Sequence, residues 1–371
     1  MATWLVTGGA GFIGANFVRD TLATTPHNVV VLDALTYAGH LESLAGLESG
    51  GRFRFVRGDV ADRPAVEAAY RDARPDAVVH FAAESHVDRS IEGPRDFVRT
   101  NVVGTQEMLE GARLHLATLA APAREAFRFL HVSTDEVYGS LGATGRFTED
   151  SPYAPNSPYA ASKAAADHLV RAYRETYGLA AIITNTSNNY GPYQFPEKLI
   201  PLLTLNALEG RSLPVYGDGK QVRDWIHVGD HVRGILAALG HGRPGAKYNL
   251  GAHEERTNLE VVEAVCAALE RHRPPAENPA LRARGARAYR DLLTFVPDRP
   301  GHDRRYAIDA SRAERELGWK ARTAFAEGID HTVAWYLEHR EWCDAVAPKG
   351  AGRERRGLAP APPPGGGGTP R

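Results

Sequence analysis

An α/β fold built on a doubly wound parallel sheet is predicted by three features of the sequence. Short apolar runs, beginning Trp4-Leu5-Val6-Thr7, Asn28-Val29-Val30-Val31-Leu32 and Phe53-Arg54-Phe55-Val56, alternate with helical stretches such as residues 63–73 and 97–116. Strands this apolar read as parallel and covered on both faces. Gly8, Gly11 and Gly14 follow the first run directly and open a helical pattern that reaches about Leu22. Asp33 ends the second run, 19 residues past Gly14. Strand, glycines, helix and a later carboxylate form a variant of the Rossmann fingerprint. The later half of the chain is expected to add a smaller, interleaved lobe that binds substrate.

The glycines allow a tight turn and let backbone approach a pyrophosphate at the helix N-terminus, placing Phe12 and Ile13 at the same point. A carboxylate at Asp33 accepts from adenosine ribose hydroxyls and repels a 2′-phosphate, which favours NAD over NADP. Ala34, Leu35 and Thr36 follow it and are counted with the cofactor candidates. The third run leads to Gly58-Asp59-Val60, where Asp59 and Val60 suit the adenine edge. Ala77-Val78-Val79-His80-Phe81 leads to Ala82-Ala83-Glu84-Ser85-His86. Phe81, the small Ala82 and Ala83, and Ser85 line the expected cofactor path, with Thr100. Asn101 reads either as a satisfied helix residue or as a tie to the central strand.

The next run, Arg128-Phe129-Leu130-His131-Val132, enters Ser133-Thr134-Asp135-Glu136. Ligands bind at the carboxyl ends of strands in such sheets. Two adjacent carboxyls there read as an acid and base whose pKa values are pushed apart by environment; the plain alternative is a solvated acidic turn. Ser157 is a natural N-cap and Pro158 a natural first residue of a helix. Tyr159 and Lys163 then share one helix face. A cation beside the phenol lowers its pKa, and a phenolate can take a sugar hydroxyl proton. Lys163 can also reach a nicotinamide ribose.

These residues resemble the extended short-chain dehydrogenase/reductase family, in its NAD-dependent sugar epimerase/dehydratase type. Gly8/Gly11/Gly14 and Tyr159-x-x-x-Lys163 carry that likeness. Thr134-Asp135-Glu136, residues 84–90, Ser187-Asn188-Asn189-Tyr190-Gly191-Pro192-Tyr193-Gln194, residues 196–201, Gly217-Asp218-Gly219 and Arg223-Asp224-Trp225 are similar to the dTDP-glucose 4,6-dehydratases within it. The likeness spans about residues 3–335. It implies C4 oxidation of dTDP-glucose with bound NAD, loss of water across C5 and C6, and reduction at C6. Tyr159 takes the C4 hydroxyl proton, Thr134 bonds that hydroxyl, Glu136 removes the C5 proton, and Asp135 protonates the leaving hydroxyl. C4 epimerisation needs neither carboxyl. Asn189 is implied at the cofactor. Ser85, His86, Thr134, Asn188, Lys198, Leu199, Pro214, Tyr216, Arg223, Asn258, Arg299 and His302 are implied at the substrate. The resemblance also implies a homodimer. One departure stands out: Asn185-Thr186 occupies a place where the family commonly carries Arg-Cys.

The whole-chain figures fit a soluble, cytoplasmic enzyme. The chain has 371 residues, 43% hydrophobic and 24% charged, with a net charge of −1. Bulk charge therefore implies neither nucleic acid nor a membrane surface. Two distant cysteines, Cys266 and Cys343, form no disulfide framework, and no metal-ligand spacing occurs. The start shows no basic stretch followed by an apolar one, and no long apolar span occurs.

The expected units are a Rossmann unit over 1–183, returning at about 226–250 and 303–312, and a nucleotide-sugar lobe over 184–225 and 251–302. C-terminal helices follow over 313–345, the last of them at 324–341. Residues 271–290, rich in Arg, Ala and Pro, read as a variable surface segment. Residues 348–371, rich in Pro and Gly, read as a disordered tail. Rival readings are a dehydratase for a GDP-, CDP- or UDP-sugar, a C4 epimerase, and a silent NAD-binding regulator.

Overall fold

The computed structural model describes residues 1–347, so the expected tail lies outside the described residues. The strands are β1 (Thr3–Thr7), β2 (Asn28–Asp33), β3 (Phe53–Arg57), β4 (Ala77–His80), β5 (Arg128–Thr134) and β6 (Ala181–Thr186). Six more are β7 (Asn188–Tyr190), β8 (Leu213–Tyr216), β9 (Val222–His227), β10 (Lys247–Leu250), β11 (Glu255–Thr257) and β12 (Leu293–Val296).

Seven strands form one sheet in the order β3-β2-β1-β4-β5-β6-β10, every neighbouring pair parallel. The chain winds outward from β1 through β2 to β3. It then returns to the other side of β1 at β4, so the switch point lies between β1 and β4. The unbroken apolar runs follow from this. Trp4, Val6, Val31 and Val79 face one helical layer, which includes Phe17 and Val232. Leu5, Val30, Leu32 and Val78 face the other, which includes Val66, Met108 and Val170.

The second lobe holds the pair β8-β12 and the three-stranded sheet β11-β9-β7. Helices Leu199–Leu208, Asn258–His272 and Phe325–Glu338 close its core around Tyr190, Leu203, Val261 and Val333. Helix Leu199–Leu208 is apolar on nearly every side because nearly every side is buried. β10 and helix Val228–His241 return to the first unit, so the lobes interleave.

Local departures from the sequence reading have physical causes. β6 runs to Thr186, since Thr184 and Asn185 pair with β5 on one side and β10 on the other. The central sheet therefore extends past 183. Ile226 and His227 end β9, and the helix begins at Val228. Residues 271–290 are not merely surface: Leu281 and Tyr289 are fully buried in the second core. Single apolar anchors among arginines carry no period to reveal them. Asn278 caps that turn, accepting from the N–H groups of Ala280 and Leu281. The last helix divides at His339 into Phe325–Glu338 and Arg340–Val346. Among the described residues, no helix is long and apolar enough to cross a membrane.

Candidate active site

The cofactor side begins where β1 meets helix Phe12–Thr24. Gly8 has φ +69°, and a Cβ there would lie 2.6 Å from the backbone nitrogen of Ala82. A Cβ on Gly14 would lie 2.2 Å from the Gly8 carbonyl oxygen. Both approaches exclude any larger residue. Gly11 is the N-cap and offers no capping side chain, so the first-turn N–H groups are left for a ligand. Asp33 ends β2, with its carboxylate accepting from Ala10 N–H at 2.9 Å and Leu35 N–H at 2.8 Å. A cavity of about 580 Å³ runs over these strand ends, past Asp33, Ala34, Thr36, Asp59, Val60 and Thr100. It adjoins one of about 280 Å³ that passes Gly11, Ile13, Ser85 and Asn189 to reach the two carboxyls. Of the cofactor candidates only Leu35 lines neither space; it supports Asp33 through its N–H instead. A close glycine cradle, a free helix N-terminus and a ribose-facing carboxylate fit a dinucleotide.

The candidate catalytic residues converge at the end of β5, next to the switch point. Thr134 closes that strand, and Asp135 and Glu136 open the turn that follows. Ser157 caps helix Pro158–Tyr177 by accepting from Ala160 N–H at 3.1 Å, which sets the face carrying Tyr159 and Lys163. All five line the same cavity. Asn101 ties this helix down. Its amide donates to Ser162 Oγ at 2.8 Å and to the Glu84 carbonyl, and its oxygen accepts from Glu84 N–H. Asn101 sits in a widened helical turn, Val98–Val103, which aims it at the segment after β4.

The two carboxyls are not equivalent. Burial, then the charges of Glu136 and Asp224, push Asp135 well above the ordinary carboxylate range. Burial also raises Glu136, but Arg299, Arg223 and Lys198 oppose that rise. The neighbouring charges thus favour the neutral form more at Asp135 than at Glu136. Burial, aided by the charge of Glu136, holds the Tyr159 phenol above its usual value, while a hydrogen bond with Thr134 works the other way.

Lys163 corrects one expectation. Its ammonium donates to the Val132 carbonyl at 2.7 Å and lies 3.3 Å from His131 Nε2, rather than being committed to the phenol. Burial lowers it to about 8, and Asp167 opposes that fall. Spacing on a helix sets the face, whereas the neighbouring strand sets where a four-carbon chain points.

Asp167 organises the floor beneath Lys163. It accepts from Ser133 Oγ at 2.9 Å, from the Tyr153 hydroxyl at 2.7 Å and from Asn185 Nδ2 at 3.3 Å. Asn185 also donates to the Thr134 carbonyl at 3.1 Å, so the uncharged residue braces both the floor and the catalytic turn. His131 and Lys163 hold the Asp167 carboxyl below its usual range despite burial. Its contribution to stability is therefore present at neutral pH and lost as pH falls through its lowered pKa. Asp167→Ala strands a buried cation and two hydroxyls, and a loss of about 3–5 kcal/mol is expected in denaturant unfolding at neutral pH. A loss under 1 kcal/mol, within the range of an exposed pair, would make the floor dispensable.

The substrate side is a cavity of about 220 Å³ lined by Ser85, His86, Asn188, Lys198, Leu199 and Glu136 on one flank, and by Tyr216, Arg223 and Arg299 on the other. Arg223 is buried, donating to the carbonyls of Val222 and Asp303, with its guanidinium 4.2 Å from the Tyr306 ring centre. His86 is lowered to about 3, first by burial and then by Lys198, so its imidazole is neutral. Pro214, Asn258 and His302 do not line this space. Pro214 is held within the β8-β12 pair. Asn258 reaches Gln221 Oε1 at 3.5 Å, and His302 bonds Asp298 at 2.6 Å behind the Tyr216 ring. Sequence reasoning did not assign Asp88, Glu197 and Tyr306. Asp88 accepts from Arg299 at 2.8 Å and from the Tyr216 hydroxyl at 3.0 Å, joining the two lobes. Glu197, its side chain 6% exposed, faces Arg89 at 3.7 Å and His86 and Lys198 at 3.8 Å. Asp88 and Glu197 lie inside quoted motifs, which was the available signal.

A family model described as GDP-mannose 4,6 dehydratase matches residues 5–332. The chain belongs to the GDP-mannose 4,6 dehydratase family. Within that family it is 57% identical over 346 residues to a dTDP-glucose 4,6-dehydratase of Xanthomonas campestris pv. campestris (strain B100), covering 93% of this chain and 96% of that protein. It is 55% identical over 337 residues to a dTDP-glucose 4,6-dehydratase of Neisseria gonorrhoeae, covering 91% and 96%. Among solved structures, DesIV from Streptomyces venezuelae, a dTDP-glucose 4,6-dehydratase with NAD and TYD bound, superposes with a TM-score of 0.82. DesIV is 47% identical to this chain, with coverage of 93% and 99%.

Proposed function

We propose that this protein converts dTDP-glucose to dTDP-4-keto-6-deoxyglucose with NAD held in the glycine-lined cavity. The observation that carries this reading is the carboxyl pair Asp135-Glu136, of unequal acidity, beside Tyr159 at the end of β5. A C4 epimerase needs no such pair.

Bound NAD supplies the oxidant for C4 and returns the electron pair at C6. The residues of this chain do the proton chemistry. Tyr159 receives the C4 hydroxyl proton, with Thr134 bonding that oxygen. The new ketone makes the C5 hydrogen acidic, and Glu136 removes it. Asp135 donates its proton to the C6 hydroxyl, which leaves as water. Glu136, after exchanging with solvent, then returns a proton to C5. Gly8, Gly11 and Gly14 take the dinucleotide phosphates, Asp33 a ribose, and Asn189 the region near the nicotinamide. Arg223, Arg299 and Lys198 take the sugar diphosphate.

Incubation with dTDP-glucose in deuterated water tests the proposal. A 4-keto-6-deoxy product carrying deuterium at C5, with no added reductant, is the expected result. If only a UDP-, GDP- or CDP-sugar reacts, the chemistry stands and the base assignment fails. If none reacts, the enzyme reading fails.

Arg299→Gln is expected to raise KM for dTDP-glucose about 10- to 100-fold, the worth of hydrogen bonds to a charged group. The change in kcat should be much smaller. An unchanged KM would remove Arg299 from the diphosphate site.

We also propose a homodimer. Val98 (52% exposed), Val103, Leu114 and Tyr177 lie outermost on the packed helices around residues 98–117 and 158–177. Apolar side chains on adjoining helices suit a two-fold four-helix contact. Sedimentation as a monomer at micromolar concentration would exclude it.

A further inference from the structure

The proton balance of the proposed reaction leaves the enzyme in a different state from the one it started in. The C4 hydroxyl proton ends on Tyr159. The C5 proton goes to Glu136, exchanges there with solvent, and one proton returns from Glu136 to C5. The proton of Asp135 departs in the water. Substrate and product differ by that one water, so there is no net gain or loss of a proton. Each turnover nonetheless leaves Tyr159 one proton richer and Asp135 one proton poorer.

The structure places one hydroxyl between those two groups. Thr134 Oγ1 donates to Asp135 Oδ1 at 3.4 Å and lines the same cavity as the Tyr159 phenol. It also accepts from Glu136 N–H at 3.3 Å, which fixes where the hydroxyl sits. Thr134 and Asp135 are buried, 7% and 1% exposed, so bulk water has little direct access to this link. A hydroxyl both donates and accepts, so it can pass a proton along without being ionised for long.

Resting on the dehydratase reading above, we propose that the Thr134 hydroxyl returns the proton from Tyr159 to Asp135 between turnovers. The Tyr159 O–H bond breaks and a new O–H forms on Thr134 Oγ1. The original Thr134 proton moves to Asp135 Oδ1. Tyr159 is left as phenolate and Asp135 as the neutral acid, and no electrons change hands. Among the described residues Asp135 Oδ2 has no hydrogen-bond partner, so a half-turn of the carboxyl that brings the new proton into the cavity breaks only the bond to Thr134. Burial and the charges of Glu136 and Asp224 draw the proton toward Asp135, against the burial and the Glu136 charge that also hold it on Tyr159. Thr134 thus serves twice, at the C4 hydroxyl during oxidation and as the resetting relay afterwards.

Rapid-quench kinetics on the NAD-loaded enzyme separate the two roles. With dTDP-glucose in excess, the ratio of first-turnover rate to steady-state rate is compared for wild type, Thr134→Ser and Thr134→Val. A C4 role alone slows both rates by one factor and leaves the ratio unchanged. The relay predicts that Thr134→Val raises the ratio by about tenfold or more, giving a burst of one product per site. It also predicts that Thr134→Ser keeps the wild-type ratio and that a small carboxylic acid buffer speeds the slow phase of Thr134→Val. A ratio within about twofold of wild type in Thr134→Val would overturn the relay.

If Thr134→Val forms no product, the proton can be followed without turnover. After a pH jump, the rise of the tyrosinate absorbance that Tyr159→Phe lacks should be slower in Thr134→Val than in Thr134→Ser, and equal rates would overturn the relay. If wild type forms no product, it is the dehydratase reading that fails.

Discussion

Tyr159→Phe is expected to lower kcat for dTDP-glucose by about 10²–10⁴-fold, or about 3–5 kcal/mol in the barrier. The phenol is the only proton acceptor proposed for the C4 hydroxyl. C4 oxidation should therefore become rate-limiting. Substrate deuterated at C4 should show a full primary isotope effect on kcat in Tyr159→Phe, and substrate deuterated at C5 should show none. KM should change little, because the ring still packs edge-on against Phe97 at 6.3 Å between centroids. A loss of less than tenfold would mean that another group takes the proton.

Glu136→Gln should cost a similar factor, about 10²–10⁴-fold in kcat, at a different step. The amide has nearly the same shape but does not accept the C5 proton. C4 chemistry survives, and the isotope effect moves to substrate deuterated at C5. The change also deletes a charge beside Asp135. That carboxyl rises partly because of Glu136, so the variant should ease the ionisation of Asp135. In the wild type, kcat should fall as pH rises through the raised pKa of Asp135, because the acid must be protonated to act. In Glu136→Gln this alkaline limb should shift to lower pH. C5 hydrogen exchange with solvent at the wild-type rate would rule Glu136 out as the base.

Much of this site could be read from the chain because its parts are local. Gly8 through Gly14 is one turn, Thr134 through Glu136 is another, and Tyr159 and Lys163 share a helix. Strand ends gather such pieces by topology, so the pattern of apolar runs already placed them together. What the sequence concealed depends on contacts that no local pattern encodes. Asp88 meets Arg299 across 211 positions of chain. Lys163 lies on the expected face, yet its direction is set by the Val132 carbonyl on a neighbouring strand. Asn185 looked like the loss of a charge, but full burial turns it into a brace for Asp167 and for the Thr134 carbonyl. Pro214, Asn258 and His302 lie near the pocket in sequence terms but do not line the cavity of about 220 Å³. Sequence likeness marks a segment without saying which of its side chains faces the ligand.

The pair between Asp88 and Arg299 has a consequence for how this protein measures its substrate. A diphosphate that engages Arg299 meets a guanidinium that Asp88 has claimed at one nitrogen while its Nε–H has no partner among the described residues, so binding competes with that carboxylate for the cation. Its affinity reflects the difference between the two anions rather than the full strength of either. Monovalent, weakly bonding anions should compete poorly with such an internal occupant. Added salt should therefore weaken dTDP-glucose binding less than a count of three cations implies. The rejected carboxylate must also find new partners, and Tyr216, already bonded to it at 3.0 Å, lies on the opposite lobe. Arrival of the ligand is in this way felt at the junction between the lobes as well as in the pocket, and discrimination falls on molecules that carry enough charge to displace what is already there.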